Sequence, residues 1–444
     1  MPRIWHRIFC AILLVGVSVT AQGQDAQDNS PYSRLGLGDL VNQQFAANLG
    51  MGGLTAAFAD RYHTNIVNPA SLASLKSTAF EVGLYAKYAN LNAGAESVGV
   101  WSGNLNYLSL AFPIRNQINQ VLDRKTAALQ WGMAFTLIPF TNVGYDVETA
   151  EETDELGTTL NSFQGSGGTY KLLWGNGISY KDFSFGVNLG YLFGKITNER
   201  RVAFSDIGIS YENLFNDEMS VSGWTWNLGV QYKYSFKKGL KEGEEPTKSL
   251  IIGVYGNSMN TINTNTSRFY VADNPFYPAI FTDTLVNDNE VLDQATLPAQ
   301  FAVGVMYEEF EKFRLGAEYT LTQWSNYDNP AKPEQLTDAY RLAIGGEFIP
   351  NINSYNRYAA KIRYRLGGFF ETDPRSFNTS LTNYGVTFGV GLPVIMTRGR
   401  TSFVNFAVEA GQFGSADNLR ETYARMTLGF TLNDNSWFFK RKFN

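Results

Sequence analysis

The sequence is poor in the residues on which most enzymes and metal sites depend. Of its 444 residues one is cysteine, Cys10, and two are histidine, His6 and His63. Cys10 lies inside the apolar stretch IFCAILLVGVSV, which follows the basic MPRIWHR and precedes the small residues TAQGQ. That order is the form of a secretory signal peptide, residues 1–21, with cleavage after Ala21 or Gly23. Cys10 does not sit at the cleavage end, where a lipid-acceptor cysteine belongs. An exported chain cut there carries no thiol, which excludes disulfides, thiolate catalysis and cysteine metal sites together. His63 is then the only imidazole, too little for a zinc site. No serine motif accompanies it, so no catalytic residue, metal or cofactor is assigned and the protein is read as a non-enzyme. The formal net charge of −5 provides no basic field, so nucleic acid is not a partner. Continuous apolar runs are missing too: beyond the leader nothing approaches the roughly 20 residues of a transmembrane helix.

Apolar material is nevertheless abundant, at 44% hydrophobic and 14% aromatic residues. It is spread in alternation. In TAFEVGLYAKY, Phe80, Val82, Leu84, Ala86 and Tyr88 share one face, while Glu81, Gly83, Tyr85 and Lys87 share the other. The pattern returns in LQWGMAFTL, FSFGVNLGYLF, WTWNLGVQYKY, FAVGVMY, FRLGAEYTL, YRLAIGGEF, YAAKIRYRL, NYGVTFGVGL and ARMTLGFTL. Soluble sandwiches use shorter strands, about 5 to 6 residues. Segments of about 9 to 11 residues fit an outer-membrane barrel with its oily face toward lipid. The breaks support this. YKDF and EEFEK are tight, whereas regions 142–168, 197–219, 263–297 and 325–337 are long and polar, and all four fall on one side if RVAFSDIGISYEN is counted as loop. The breaks after PIRNQINQ and at KKGLKEGEEPTK are longer than periplasmic turns usually are. The fold expected is all-β: a transmembrane antiparallel β-barrel of about 14 strands.

Ahead of the first strand, residues 22–76 have no alternation. A segment of that length without strands suits a plug, or hatch, folded back into the barrel formed by residues 77–444, because irregular backbone at membrane depth survives only against protein or water. Asn68 and Pro69 fit a turn, Pro69 driving Asn68 to an extended conformation. Gly50, Gly52 and Gly53 permit either a hinge or close packing. Pro139, in FTLIPF, has no N–H for the ladder and marks either a wall break or a strand end. Leu108 and Ile138 are taken as inward-facing apolar residues, and His63 as a polar plug residue facing the lumen.

SPYSRLGLGDL, MGGLTAAFAD and NPA at Asn68, Pro69 and Ala70 resemble the N-terminal hatch of the long-chain fatty-acid transporter (FadL) family of Gram-negative outer membranes. The ending ETYARMTLGFTLNDNSWFFKRKFN is similar to that family's last strand and tail, although it runs on into a basic FFKRKFN. The resemblance implies passive uptake of hydrophobic compounds, long-chain fatty acids foremost, with hatch-gated lateral release into the outer membrane. It assigns gating to Asn68, Pro69, Ala70, Gly52 and Gly53. The partners implied are fatty acids, outer-membrane lipid and the barrel assembly machinery, and the chain is read as a monomer. A second reading is a non-transporting docking or shuttle barrel of a protein secretion system, to which long extracellular loops are suited. A general porin, the third, would lack the plug.

Overall fold

The computed structural model describes residues 30–434 apart from 95, 115–128, 154–156, 205–211, 237–246, 274–281, 378, 397–399 and 416–418. The stretch read as a signal peptide, the basic tail and most of the two unexplained breaks lie outside the described residues.

Among the described residues sixteen strands follow the N-terminal segment, from β2 (Thr78–Ala93), β3 (Glu96–Pro113), β4 (Leu129–Thr153), β5 (Gly157–Tyr180), β6 (Phe183–Phe204) and β7 (Glu212–Ser235) onward. Next come β8 (Lys248–Asn257), β9 (Asn260–Asp273), β10 (Asp283–Leu297) and β11 (Gln300–Glu309). The last six are β12 (Phe313–Thr322), β13 (Ala339–Phe348), β14 (Arg363–Phe377), β15 (Thr379–Ile395), β16 (Thr401–Gly414) and β17 (Arg420–Asp434). Every pairing is antiparallel, and β17 closes on β2 from Arg420↔Asn92 to Asp434↔Thr78. β7 pairs with β8 low on the wall and with β9 above it; β11 and β10 pair with the same two in turn. β8 with β9 is therefore one wall strand and β10 with β11 another, and the closed barrel has 14 strands. A two-residue strand, β1 (Asp39–Leu40), runs inside the wall beside β4.

Alternation decides which face each residue takes. Phe80, Leu84 and Tyr88 on β2, Trp131 and Phe135 on β4 and Trp174 on β5 are exposed on the outside. Their inward neighbours Glu81, Tyr85, Thr136 and Ile138 are buried. This inversion, apolar outside and polar inside, is what a barrel in lipid requires, and it places the protein in a Gram-negative outer membrane. Leu108 corrects the expectation: it points to lipid, because Tyr107 beside it turns inward and stacks on Phe45 at 3.8 Å.

Both ends of the barrel, Thr78 and Asp434, lie at the rim that bacterial barrels place in the periplasm. The regions expected as long loops do leave from the opposite rim; 325–337 has no strand, but the described residues of the other three are mostly strand. β4 and β5 pair without interruption from Asn142↔Gly168 up to Thr153↔Gly157, and RVAF of the supposed loop belongs to β6.

Candidate functional site

Residues 30–77 occupy the lumen and are bound to its wall. Glu318 on β12 accepts hydrogen bonds from the backbone N–H of Thr55 (2.6 Å) and Ala56 (2.7 Å). Glu81 on β2 accepts one from Thr64 N–H at 2.5 Å. Asn188, Asn227 and Gln231 donate to the carbonyls of Ile66 (2.6 Å), Val67 (2.8 Å) and Ala56 (2.9 Å). In return, Asp60 of the segment accepts from Arg314 (2.8 Å) and Arg363 (2.9 Å) of the wall. Burial alone would raise the Asp60 pKa. The Arg363 and Arg314 guanidiniums outweigh it and hold the carboxyl well below its usual range. Side chains of the wall thus satisfy irregular backbone that no water reaches.

The fit is close because inward-facing glycines ring the wall where the segment touches it. Gly132, Gly177, Gly186 and Gly229 pair in succession across β4, β5, β6 and β7. A Cβ on Gly132 would meet the Leu72 carbonyl at 2.0 Å, and one on Gly186 would meet the Pro69 carbonyl carbon at 2.2 Å. Gly345 and Gly367 do the same opposite Met51 and Gly52.

The residues singled out for gating fall into two groups on different walls. Asn68 is fully buried against β7; its Oδ1 accepts from Ala70 N–H at 3.2 Å, capping the 3-10 helix Pro69–Ser74, and its Nδ2 donates to Ala56 O at 2.6 Å. Gly52 and Gly53 have φ of +70° and +78°. Gly52 N–H donates to Thr387 on β15 at 2.8 Å, and its carbonyl accepts from Arg341 on β13 at 3.0 Å. Pro139 is in a third place, on β4 at a register shift, where its carbonyl accepts from Gln43 at 2.7 Å. His63 is buried between segment and wall, its Nδ1 3.2 Å from Thr431 Oγ1.

At Pro139 the wall parts. β3 and β4 are paired only from Pro113↔Gly132 to Leu108↔Leu137, and beyond that β4 turns its edge to residues 30–43 of the segment. A cavity of about 380 Å³ lies between those residues and the wall. Ile66, Phe140, Leu173, Leu297 and Trp324 give it an apolar side, continuous with a buried cluster that includes Val143, Leu192 and Ile262. On its charged side Lys87 pairs with Glu421 at 2.5 Å, Arg375 with Asp373 at 2.7 Å and Arg341 with Glu371, while Arg425 donates to Asn106 at 3.0 Å and Glu409 accepts from Tyr423 at 2.8 Å. Lys171 differs. It stands 3.6 Å over the Phe140 ring and has no carboxylate partner among the described residues. A second space of about 720 Å³, bounded by Arg34, Tyr145, Phe163, Arg200, Phe215 and Tyr270, lies toward the outer rim.

The glycine ring was not anticipated, although its glycines are visible as the recurring inward Gly of QWGM, SFGV, NLGV and AIGG; at Pro139 the sequence leaves a wall break and a strand end both open.

Among solved structures, the toluene transporter TbuX of Ralstonia pickettii aligns at 12% identity over 88% of this chain and 99% of its own, with a TM-score of 0.53. The Pseudomonas putida toluene transporter TodX gives 14%, 88%, 99% and 0.54, and a Pseudomonas aeruginosa FadL homologue 12%, 88%, 98% and 0.53. At these identities the likeness is one of fold. No curated protein matches the sequence. A family model described as BamG matches residues 4–444, so the chain belongs to the BamG family.

Proposed function

We propose that this BamG-family barrel is a channel for the passive uptake of hydrophobic and amphiphilic compounds, with fatty acids as the first candidates. The observation that carries the reading is the cavity between the N-terminal segment and the wall, apolar on one side and adjoining a seam where β3 and β4 have separated. An alkyl chain gains about 0.8 kcal/mol per buried CH₂ on leaving water, so a path from the outer space through this cavity to the bilayer needs no energy source. Lys171, without a carboxylate partner among the described residues, is the group to meet an acid head. In this reading residues 30–77 are the hatch: Asn68, Pro69 and Ala70 hold its turn on one wall, Gly52 and Gly53 its bend on the other, and release follows the parted edge at Pro139. The shared barrel of the toluene transporters lends support at the level of fold.

Proteoliposomes test it. Labelled long-chain fatty acid and labelled toluene are presented to the intact protein and to Asn68→Ala/Pro69→Ala. The intact protein is expected to exceed empty liposomes several-fold for at least one compound and the double variant to fall toward them. No uptake of either compound overturns the reading.

One observation favours the docking barrel. β4, β5 and β7 have 25, 24 and 24 residues, more than twice what a crossing needs, and the excess forms a ribbon above the outer surface. If the channel assay is negative, that ribbon is where a protein partner is to be sought.

A further inference from the structure

The wall is interrupted a second time, three strands on from β4. β8 ends at Asn257 and β9 begins at Asn260; beside them β10 ends at Leu297 and β11 begins at Gln300. Asn257 pairs with Gln300 and Asn260 with Leu297, so the two interruptions lie side by side. On the adjoining flank, residues 223–227 of β7 have no ladder partner on β8 or β9. Side-chain amides take up part of the backbone instead: Asn260 donates to Trp224 O, and Asn257 to the carbonyls of Ser258 (2.9 Å) and Pro298 (3.2 Å).

Two features give this breach a direction and a level. Trp226 faces outward with Trp224 and Leu228, yet it also lines the internal cavity together with Asn257, Asn260 and Gln300. The cavity therefore reaches the wall at the breach. β8 and β11 each have 10 residues between the periplasmic rim and the breach, about one bilayer crossing. The breach accordingly opens at the outer interface, where lipid head groups lie.

Its chemistry is neutral. Asn257 Oδ1, Asn260 Oδ1 and the Thr225 hydroxyl have capacity left, and the Gln300 amide makes a single 3.4 Å bond to Thr322. Amides offer both donors and acceptors, as a hydroxyl-rich ligand requires, and the Trp226 indole offers a flat apolar face to the C–H side of a sugar ring. The charge of the cavity is carried by other side chains: the pairs Lys87–Glu421 and Arg375–Asp373, and Lys171, which has no carboxylate partner among the described residues. We propose that the breach is a binding site for the uncharged, polyhydroxylated head group of an amphiphile entering sideways from the outer leaflet, its tail running onto Leu297 and Trp324. This inference rests on the reading of the cavity as an amphiphile path.

The test uses the full chain in amphipol with N-phenyl-1-naphthylamine as an apolar fluorescent probe, displaced by dodecyl maltoside below its micellar concentration, by dodecanoate, or by maltose. Dodecyl maltoside is expected to displace the probe at about ten-fold lower concentration than dodecanoate, and maltose not at all. Asn260→Ala and Gln300→Ala should raise the maltoside midpoint about ten-fold more than the dodecanoate midpoint, and Lys171→Met the reverse. Trp226→Ala leaves the amides in place and tests the same point if Asn260→Ala loosens the strand. Equal displacement by both dodecyl compounds, indifferent to these variants, overturns the head-group site and leaves the cavity reading standing. Displacement by maltose alone overturns entry from lipid. Displacement by neither dodecyl compound overturns both.

Discussion

Gly253 has no room for a methyl group: a Cβ there would lie 1.8 Å from the carbonyl oxygen of Ala56. Gly253→Ala must therefore lift the segment from β8 or bend the strand. The expected cost is roughly 1–3 kcal/mol, the scale of overpacking a tight core. It would be read as faster protease cleavage within residues 30–77 and a lower denaturation midpoint. Gly368→Ala is the control, since its nearest neighbour is Gly385 O at an ordinary 3.4 Å. Asp60 makes a second prediction. Asp60→Asn removes the nearest carboxylate from the buried Arg314 and Arg363 guanidiniums, which keep Glu347 at 3.6 and 3.7 Å, and should cost about 1–3 kcal/mol. Because the folded carboxyl has its pKa depressed, its contribution is complete above the ordinary carboxylate range and is lost as pH falls through the lower folded value. Segment docking, followed by protease access, should persist at pH 5 (roughly one unit above the free carboxyl) and fail only in stronger acid; loosening already at neutral pH would contradict the pairing. Individual positions were legible to different depths. A period of two put Glu81 and Tyr85 inward from sequence alone. Nothing local could join Asp60 to Arg363, 303 positions away.

Beyond Asp146 the β4–β5 hairpin is held by its own ladder and by that of β5 with β6, and among its described residues only Asn161 is buried before Gln164. Joining Asp146 directly to Gln164, a paired couple, should therefore leave the barrel's heat-modifiable mobility on gels unchanged; loss of the folded band would show that the ribbon supports the wall. The same physics explains why 142–168 reads as loop. GYDVETAEETDELGTTL carries no apolar stripe, and its strand character comes from cross-strand pairing, which one strand's sequence does not display. The barrel strands were legible because lipid imposes a stripe on each. The breach at Asn257 and Asn260 was not, since two adjacent interruptions become one opening only once the register is known.

For the whole molecule, removing residues 30–77 empties the lumen while leaving the 14 strands their lipid-facing belt. The expected result is a barrel that still inserts but conducts ions in planar bilayers, where the intact protein stays closed or nearly so. Equal conductance of the two forms would mean that the segment does not occlude the pore. Fold class and strand number could be reached from periodicity. The cavity could not, because it is defined by where the segment stops filling the lumen, and that depends on contacts among distant strands.

The ring of bare glycines also sets an order of events. Backbone lies against backbone at Gly132, Gly186 and Gly345, so the wall has no slack through which a finished cylinder could admit its own contents. The strands have to wrap the segment as a cooper sets staves around a mandrel. A peptide of residues 30–77 added to an already closed, empty barrel should then fail to restore the sealed state, whereas the same peptide present during refolding should succeed.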